Sequence, residues 1–115
     1  MKRDAIIFIK HILNSINDIE RSTKSLSEGS FKKNKDVQDA TIRRLEIIGE
    51  AVKNLPSDFK NKYSDVPWNK IAGMRDKLMH HYFGVDLVIV WNVVEDDLPK
   101  LKKDIKQILD KKELK

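Results

Sequence analysis

Residues 5–19 read Ala5-Ile6-Ile7-Phe8-Ile9-Lys10-His11-Ile12-Leu13-Asn14-Ser15-Ile16-Asn17-Asp18-Ile19, and the spacing of their apolar positions decides the class of fold. Ala5, Phe8, Ile9, Ile12, Ile16 and Ile19 recur at intervals of three and four, which makes a single stripe on a helix of 3.6 residues per turn. Leu26 extends the stripe to just before Gly29, and a glycine there suits the left-handed residue that closes a helix. This is the pattern of an amphipathic helix with one face in a core.

The same period continues outward along the chain. Lys32 to Lys35 reads as a solvated loop, and Asp36 is placed to N-cap a second helix carrying Val37, Thr41, Leu45, Ile48, Val52 and Leu55 until Pro56 stops it. Ser57 to Tyr63 reads as a short helical turn around Phe59. Val66-Pro67-Trp68 starts a third major helix, with proline at the first position where its missing N–H costs nothing. That helix runs through Ile71, Arg75, Leu78, Met79 and Tyr82 to Gly84. Asp86 caps a last one, with Leu87, Val90, Trp91, Val94, Leu98, Leu101, Ile105 and Ile108, and Pro99 inside it is expected to kink or split it. Strand-like alternation, repeats and low-complexity tracts are absent from the sequence. The expectation is an all-α antiparallel bundle of four main helices and an extra short one, a single domain over residues 1–115.

Two glycines fall inside these helices, each costing about 1 kcal/mol of helix propensity against alanine. Gly49 is expected to admit a closely packed neighbouring helix. Gly73 reads the same way, or as room beside a site, since it precedes Arg75 by two residues.

Composition narrows the function. The chain has 115 residues, 36% of them charged and 40% hydrophobic, which suits one globular domain. It has no cysteine, so disulfide frameworks, thiolate zinc sites and cysteine nucleophiles are excluded. The N-terminus shows no signal-peptide pattern, and the densest apolar stretch, Val85 to Val94, carries Asp86 and Asn92, too polar for a membrane span. A soluble cytoplasmic protein is expected. The net charge is +5, with residues 1–35 contributing +4 and residues 36–86 neutral. With a pI near 9.4, this favours a polyanionic partner such as nucleic acid.

The richest chemistry lies in Arg75-Asp76-Lys77-Leu78-Met79-His80-His81-Tyr82. A metal site is not indicated: adjacent histidines point about 100° apart on a helix, no His-Glu-x-x-His pattern exists, and His11 lies in another helix. No metal and no cofactor are therefore expected. An arginine and a histidine can instead drive phosphoryl transfer with RNA's own 2′-hydroxyl, the neutral imidazole taking the proton and the guanidinium holding the phosphate oxygens. Arg75 and His80, five apart, lie roughly 140° apart on an ideal helix, so they converge on one phosphate only if the helix loosens or the groove lies between two subunits. Arg75 and Tyr82 are seven apart and share a face to within about 20°. The plainer reading, partly exposed histidines at a helix end, stays open on the residues alone.

Arg75-x-x-x-x-His80-x-Tyr82 resembles the R-x4-H-x-Y signature of the HepT-like toxins, a branch of the HEPN ribonuclease superfamily. The similarity extends to Ala40 to Ala51, Pro67-Trp68, Gly73 to Asp76, His81 to Asp86 and Val90-Trp91, nearly the whole chain. The resemblance implies an antiparallel helical bundle and a metal-independent endoribonuclease toxin of a toxin–antitoxin pair. It implies a homodimer whose motif helices meet at the catalytic groove, which would also relieve the 140° separation. It makes Arg75 and His80 catalytic, Asp76 the supporting polar residue, and Tyr82 the tyrosine to which a minimal nucleotidyltransferase antitoxin of the MntA type attaches AMP. His81 stands as a supporting residue and a competing imidazole, because Arg75-x5-His81 also falls within the superfamily's spacing. The alternative is a non-catalytic bundle that docks a nucleotidyltransferase and binds RNA or nucleotide.

Overall fold

Ile9, Ile12, Ile16 and Ile19 are fully buried along α1 (Lys2–Thr23), as the stripe requires. Each such burial is worth about 2 kcal/mol, so this one face holds the helix to the rest of the protein. The fold is known from a computed structural model, which describes residues 2–79 and 86–113. Among these residues the order continues with α2 (Glu28–Lys33), α3 (Lys35–Lys53), α4 (Ser57–Lys62), α5 (Trp68–Met79), α6 (Leu87–Asn92), a π-helical segment (Val93–Asp97) and α7 (Leu98–Glu113). All the regular structure among them is helical, and the fold is an all-α bundle. The four main helices expected from the sequence are α1, α3, α5 and the run from α6 to α7, but two short helices accompany them where one was expected.

The bundle is arranged around α3, which packs against α1 on one side and α5 on the other, while α7 packs against α1. Leu45, Ile48 and Val52 of α3 meet Ile105 of α7 and Val90 of α6 in one core. Gly49 is buried in α3, in keeping with its expected packing role. The half-buried ion pair from Lys102 to Glu20, 2.6 Å, ties α7 to α1 at the rim.

Three local expectations are corrected. Gly29 does not close α1; the helix ends in a turn after Thr23, and Gly29 lies inside α2. A reciprocal cap causes this: Ser30 N–H donates to Ser27 Oγ at 3.1 Å and Ser27 N–H donates to Ser30 Oγ at 2.8 Å, starting a new helix in place of a loop. That short helix carries Phe31 into the core, its ring centroid 5.2 Å from that of Trp91. Consequently Lys32 and Lys33 are helical, and Asn34, not Asp36, caps α3 by accepting from the Val37 N–H at 3.1 Å. The expected break at Pro99 is present: the last helical run is divided into α6, the π segment and α7, with Pro99 the second residue of α7. The turn before it widens into the π segment, where the Leu98 N–H bonds to the Val93 carbonyl, and the helical run carries on through the proline. Asp86 caps α6 as expected, its Oδ1 accepting from the N–H groups of Val88 and Ile89 at 3.0 and 3.4 Å.

Candidate functional site

The helix that carries the motif is anchored at its start by aromatic side chains. Trp68, the first residue of α5, is buried and donates its indole N–H to the Tyr63 carbonyl at 3.0 Å. The Phe59 ring of α4 lies 5.0 Å from Tyr63 and 6.4 Å from Trp68. Ile71, one turn along, is buried as well, so the N-terminal half of α5 is held rigidly while its course toward Met79 lies along α3. Arg75 sits on this helical backbone. His80, His81 and Tyr82, and with them Gly84, lie outside the described residues.

Asp76, the supporting residue in the sequence reading, is exposed and reaches toward α3. Its carboxylate is 4.0 Å from the Lys53 ammonium, with both side chains about half exposed. An ion pair that long and that wet contributes little to stability. It is informative as a marker of register, because it places the end of α3 beside the motif arginine's position on α5.

Two grooves flank this junction. The first runs from α5 to the π segment and α7, with a volume of about 190 Å³, and is floored by Ile71, Met74, Val93 and Leu101 with Gly73 on its edge. Gly73 is exposed, and a Cβ built there meets nothing within 4 Å. Among the described residues no neighbour explains this glycine by packing, and of the two readings given for it, room beside a site is the one this supports.

The second groove lies between α1 and α3 and measures about 380 Å³. Its walls combine Phe8 and His11 of α1 with Arg43, Glu46, Ile47 and Glu50 of α3. The α3 members follow one another at helical spacing, so the stripe that begins at Arg43 ends at Lys53, where α3 meets Asp76. Sequence periodicity assigned Phe8 to the core stripe, but it is only half-buried, and His11 attracted notice only as a histidine remote from the motif. The signal that could have found the groove is a polar stripe at positions 43, 46, 50 and 53 opposite the apolar one.

The adjacent Arg43 and Arg44 are not equivalent. Arg44 turns toward α1, where its Nη1 donates to the Asp18 carbonyl and to Ser22 Oγ, both at 3.3 Å. Arg43 is exposed and lines the groove. Among the described residues, no group of three or more His, Asp or Glu side chains is placed to hold a metal ion, and no helix is long and apolar enough to cross a membrane.

Comparison with known proteins places these features in context. The model of the ribonuclease HepT-like family matches residues 12–108, a span that encloses the whole of the motif. A relative from Methanocaldococcus jannaschii, named "gamma-glutamylcyclotransferase and putative RNase", is 52% identical over 110 residues, covering 96% of this chain and 50% of its own. The chain thus spans about half the length of that relative. A Thermococcus cleftensis protein named "probable ribonuclease HepT" is 46% identical over 102 residues, covering 89% of this chain and 93% of its own. No solved structure matches.

Proposed function

The chain belongs to the HepT-like ribonuclease family, and on that premise we propose that it is an endoribonuclease toxin that cuts RNA without metal at a groove between two copies of itself. The observation that carries the reading is the uninterrupted Arg75-x4-His80-x-Tyr82 motif inside the matched span.

The chemistry follows from the residue types. A neutral His80 takes the proton of a ribose 2′-hydroxyl, and the oxygen attacks the adjacent phosphorus. The bond from phosphorus to the 5′-oxygen breaks, and that oxygen leaves with a proton from the second subunit's imidazolium. The products are a 2′,3′-cyclic phosphate and a 5′-hydroxyl. Arg75 holds the non-bridging oxygens as charge builds on them, a task its planar fork suits. The dimer supplies the second His80 and removes the need for Arg75 and His80 of one helix to converge.

Gly73 supports the dimer. Its helix cost has no return among the described residues, and it edges an apolar groove two residues from Arg75, as a point of close approach between two motif helices would. Isologous dimers are also the commonest oligomers. Light scattering should return twice the 13.4 kDa chain mass for the native protein and the single chain mass for Gly73→Gln. The same variant should keep native helix content by circular dichroism, since a Cβ there meets nothing within 4 Å among the described residues and the change gains roughly 0.5 kcal/mol of helix propensity. A dimer that survives the substitution unchanged would remove Gly73 from the interface.

The partner completing the system is a minimal nucleotidyltransferase antitoxin that attaches AMP to Tyr82. The test of the function is incubation of the purified, unmodified protein with total RNA in excess EDTA. Fragments ending in 2′,3′-cyclic phosphate are expected. Inhibition by EDTA that added metal reverses would defeat the mechanism.

A further inference from the structure

We propose that the groove between α1 and α3 is a substrate subsite that holds one unpaired nucleotide of the RNA, a few nucleotides away from the bond that is cut. The proposal rests on the ribonuclease reading and adds to it a binding surface that the motif does not contain.

Three observations carry it. The groove joins an aromatic ring, Phe8, to an imidazole, His11, and a guanidinium, Arg43, around an opening of about 380 Å³. Recognition of single-stranded RNA uses this combination, with an unstacked base lying on a ring or guanidinium plane and its phosphate held by a cation. The half-burial of Phe8 fits such a role: it stands on the edge of the core stripe with part of its surface left to the groove.

The second observation is continuity. The α3 stripe from Arg43 to Lys53 spans ten residues, or about 15 Å at 1.5 Å per residue. It ends where Lys53 meets Asp76, the neighbour of Arg75 in sequence. A strand bound at the motif can therefore lie along α3 and reach the groove without crossing the bundle.

The third is the contrast between the two arginines. Arg44 spends its guanidinium on the Asp18 carbonyl and Ser22 Oγ and fastens α3 to α1, while Arg43, one residue earlier, lines the groove. Glu46 on the same wall repels phosphate, which directs the backbone toward Arg43 and His11, and its carboxylate can accept from an N–H edge of the base.

The test measures binding apart from cleavage. Full-length protein is titrated into a fluorescent single-stranded RNA of about 12 nucleotides, within the site sizes of single-strand binders, with its 2′-hydroxyls methylated so that it cannot be cut. Phe8→Leu, which preserves apolar packing, and Arg43→Gln should each weaken binding by about tenfold. Arg43→Gln should also reduce the slope of log affinity against log salt by about 0.7, the signature of one lost phosphate contact on a single strand. Arg44→Gln removes the same charge and should leave both affinity and slope close to native. Light scattering is run on every variant.

Native affinity and slope in both Phe8→Leu and Arg43→Gln would overturn the subsite. Equal losses in Arg43→Gln and Arg44→Gln would overturn it too, by reducing it to net charge. Monomeric variants with native RNA affinity would assign the groove to the contact between copies. These failures are separable from failure of the ribonuclease reading: a native protein that binds through the groove yet never cuts ordinary RNA sinks only the catalysis, and one that cuts RNA with the groove variants binding normally sinks only the subsite.

Discussion

His80→Ala should lower the rate of RNA cleavage by about a hundredfold or more, and Arg75→Ala should do the same, while His81→Ala costs much less. The size of the effect follows from what each group does in the transition state. Loss of the imidazole leaves the 2′-hydroxyl with only water to take its proton, and a positioned base contributes about 10² to 10⁴ in rate. Loss of the guanidinium leaves the phosphorane oxygens without their cation as charge concentrates on them. In the proposed dimer each groove draws on two copies of the chain, so mixing the two inactive variants should not restore full activity. Single-turnover kinetics on a short RNA, with RNA affinity measured in parallel, separates lost chemistry from lost binding. A dead His81→Ala beside an active His80→Ala would transfer the base to His81 and with it the spacing of the motif from four residues to five.

Attachment of AMP to Tyr82 should abolish both cleavage and RNA binding while leaving the fold and the dimer intact. Tyr82 is seven residues beyond Arg75, a spacing that on a continuous helix would return to the same face to within about 20°. Each AMP adds roughly one negative charge through its phosphodiester, together with a nucleoside. A phosphate beside an arginine pairs with it and occupies the place of the substrate's own phosphate. Coexpression with the partner nucleotidyltransferase should raise the intact mass by multiples of AMP, and Tyr82→Phe should show no increase and should stay active in the partner's presence. A mass increase that persists in Tyr82→Phe, or its absence from the native protein, would sink the assignment.

Both predictions concern residues that lie next to each other in sequence, which is why they could be made from it. Arg75, His80 and Tyr82 sit within eight consecutive positions, and their relative directions follow from the helix period alone. The two grooves are different. Phe8 and Arg43 are 35 positions apart, and nothing in either segment says that they share an opening. Gly73 looked like a packing glycine because its helix cost suggested a close neighbour. Only the packed structure reveals that, among the described residues, no neighbour takes that space.

The amino-acid sequence by itself determined the main helices, the cap at Asp86, the buried isoleucines of α1 and the motif. Those depend on which way successive side chains point around one axis, and that direction repeats every 3.6 residues whatever else the chain does. The tertiary structure alone decided that Phe8, packed at the edge of the core, lines a groove together with Arg43, that Arg44 turns to α1 to bond Ser22, and that α3 comes to the motif helix at Lys53 and Asp76. The rotation and register of one helix against another come from many contacts of about 0.1–0.2 kcal/mol each, summed over residues far apart in sequence. No single segment carries that sum. The π turn before Pro99 belongs to the same class, since Val93, Val94 and Leu98 around it are all buried in the shared core, whereas the Ser27–Ser30 cap is local, joining residues three apart.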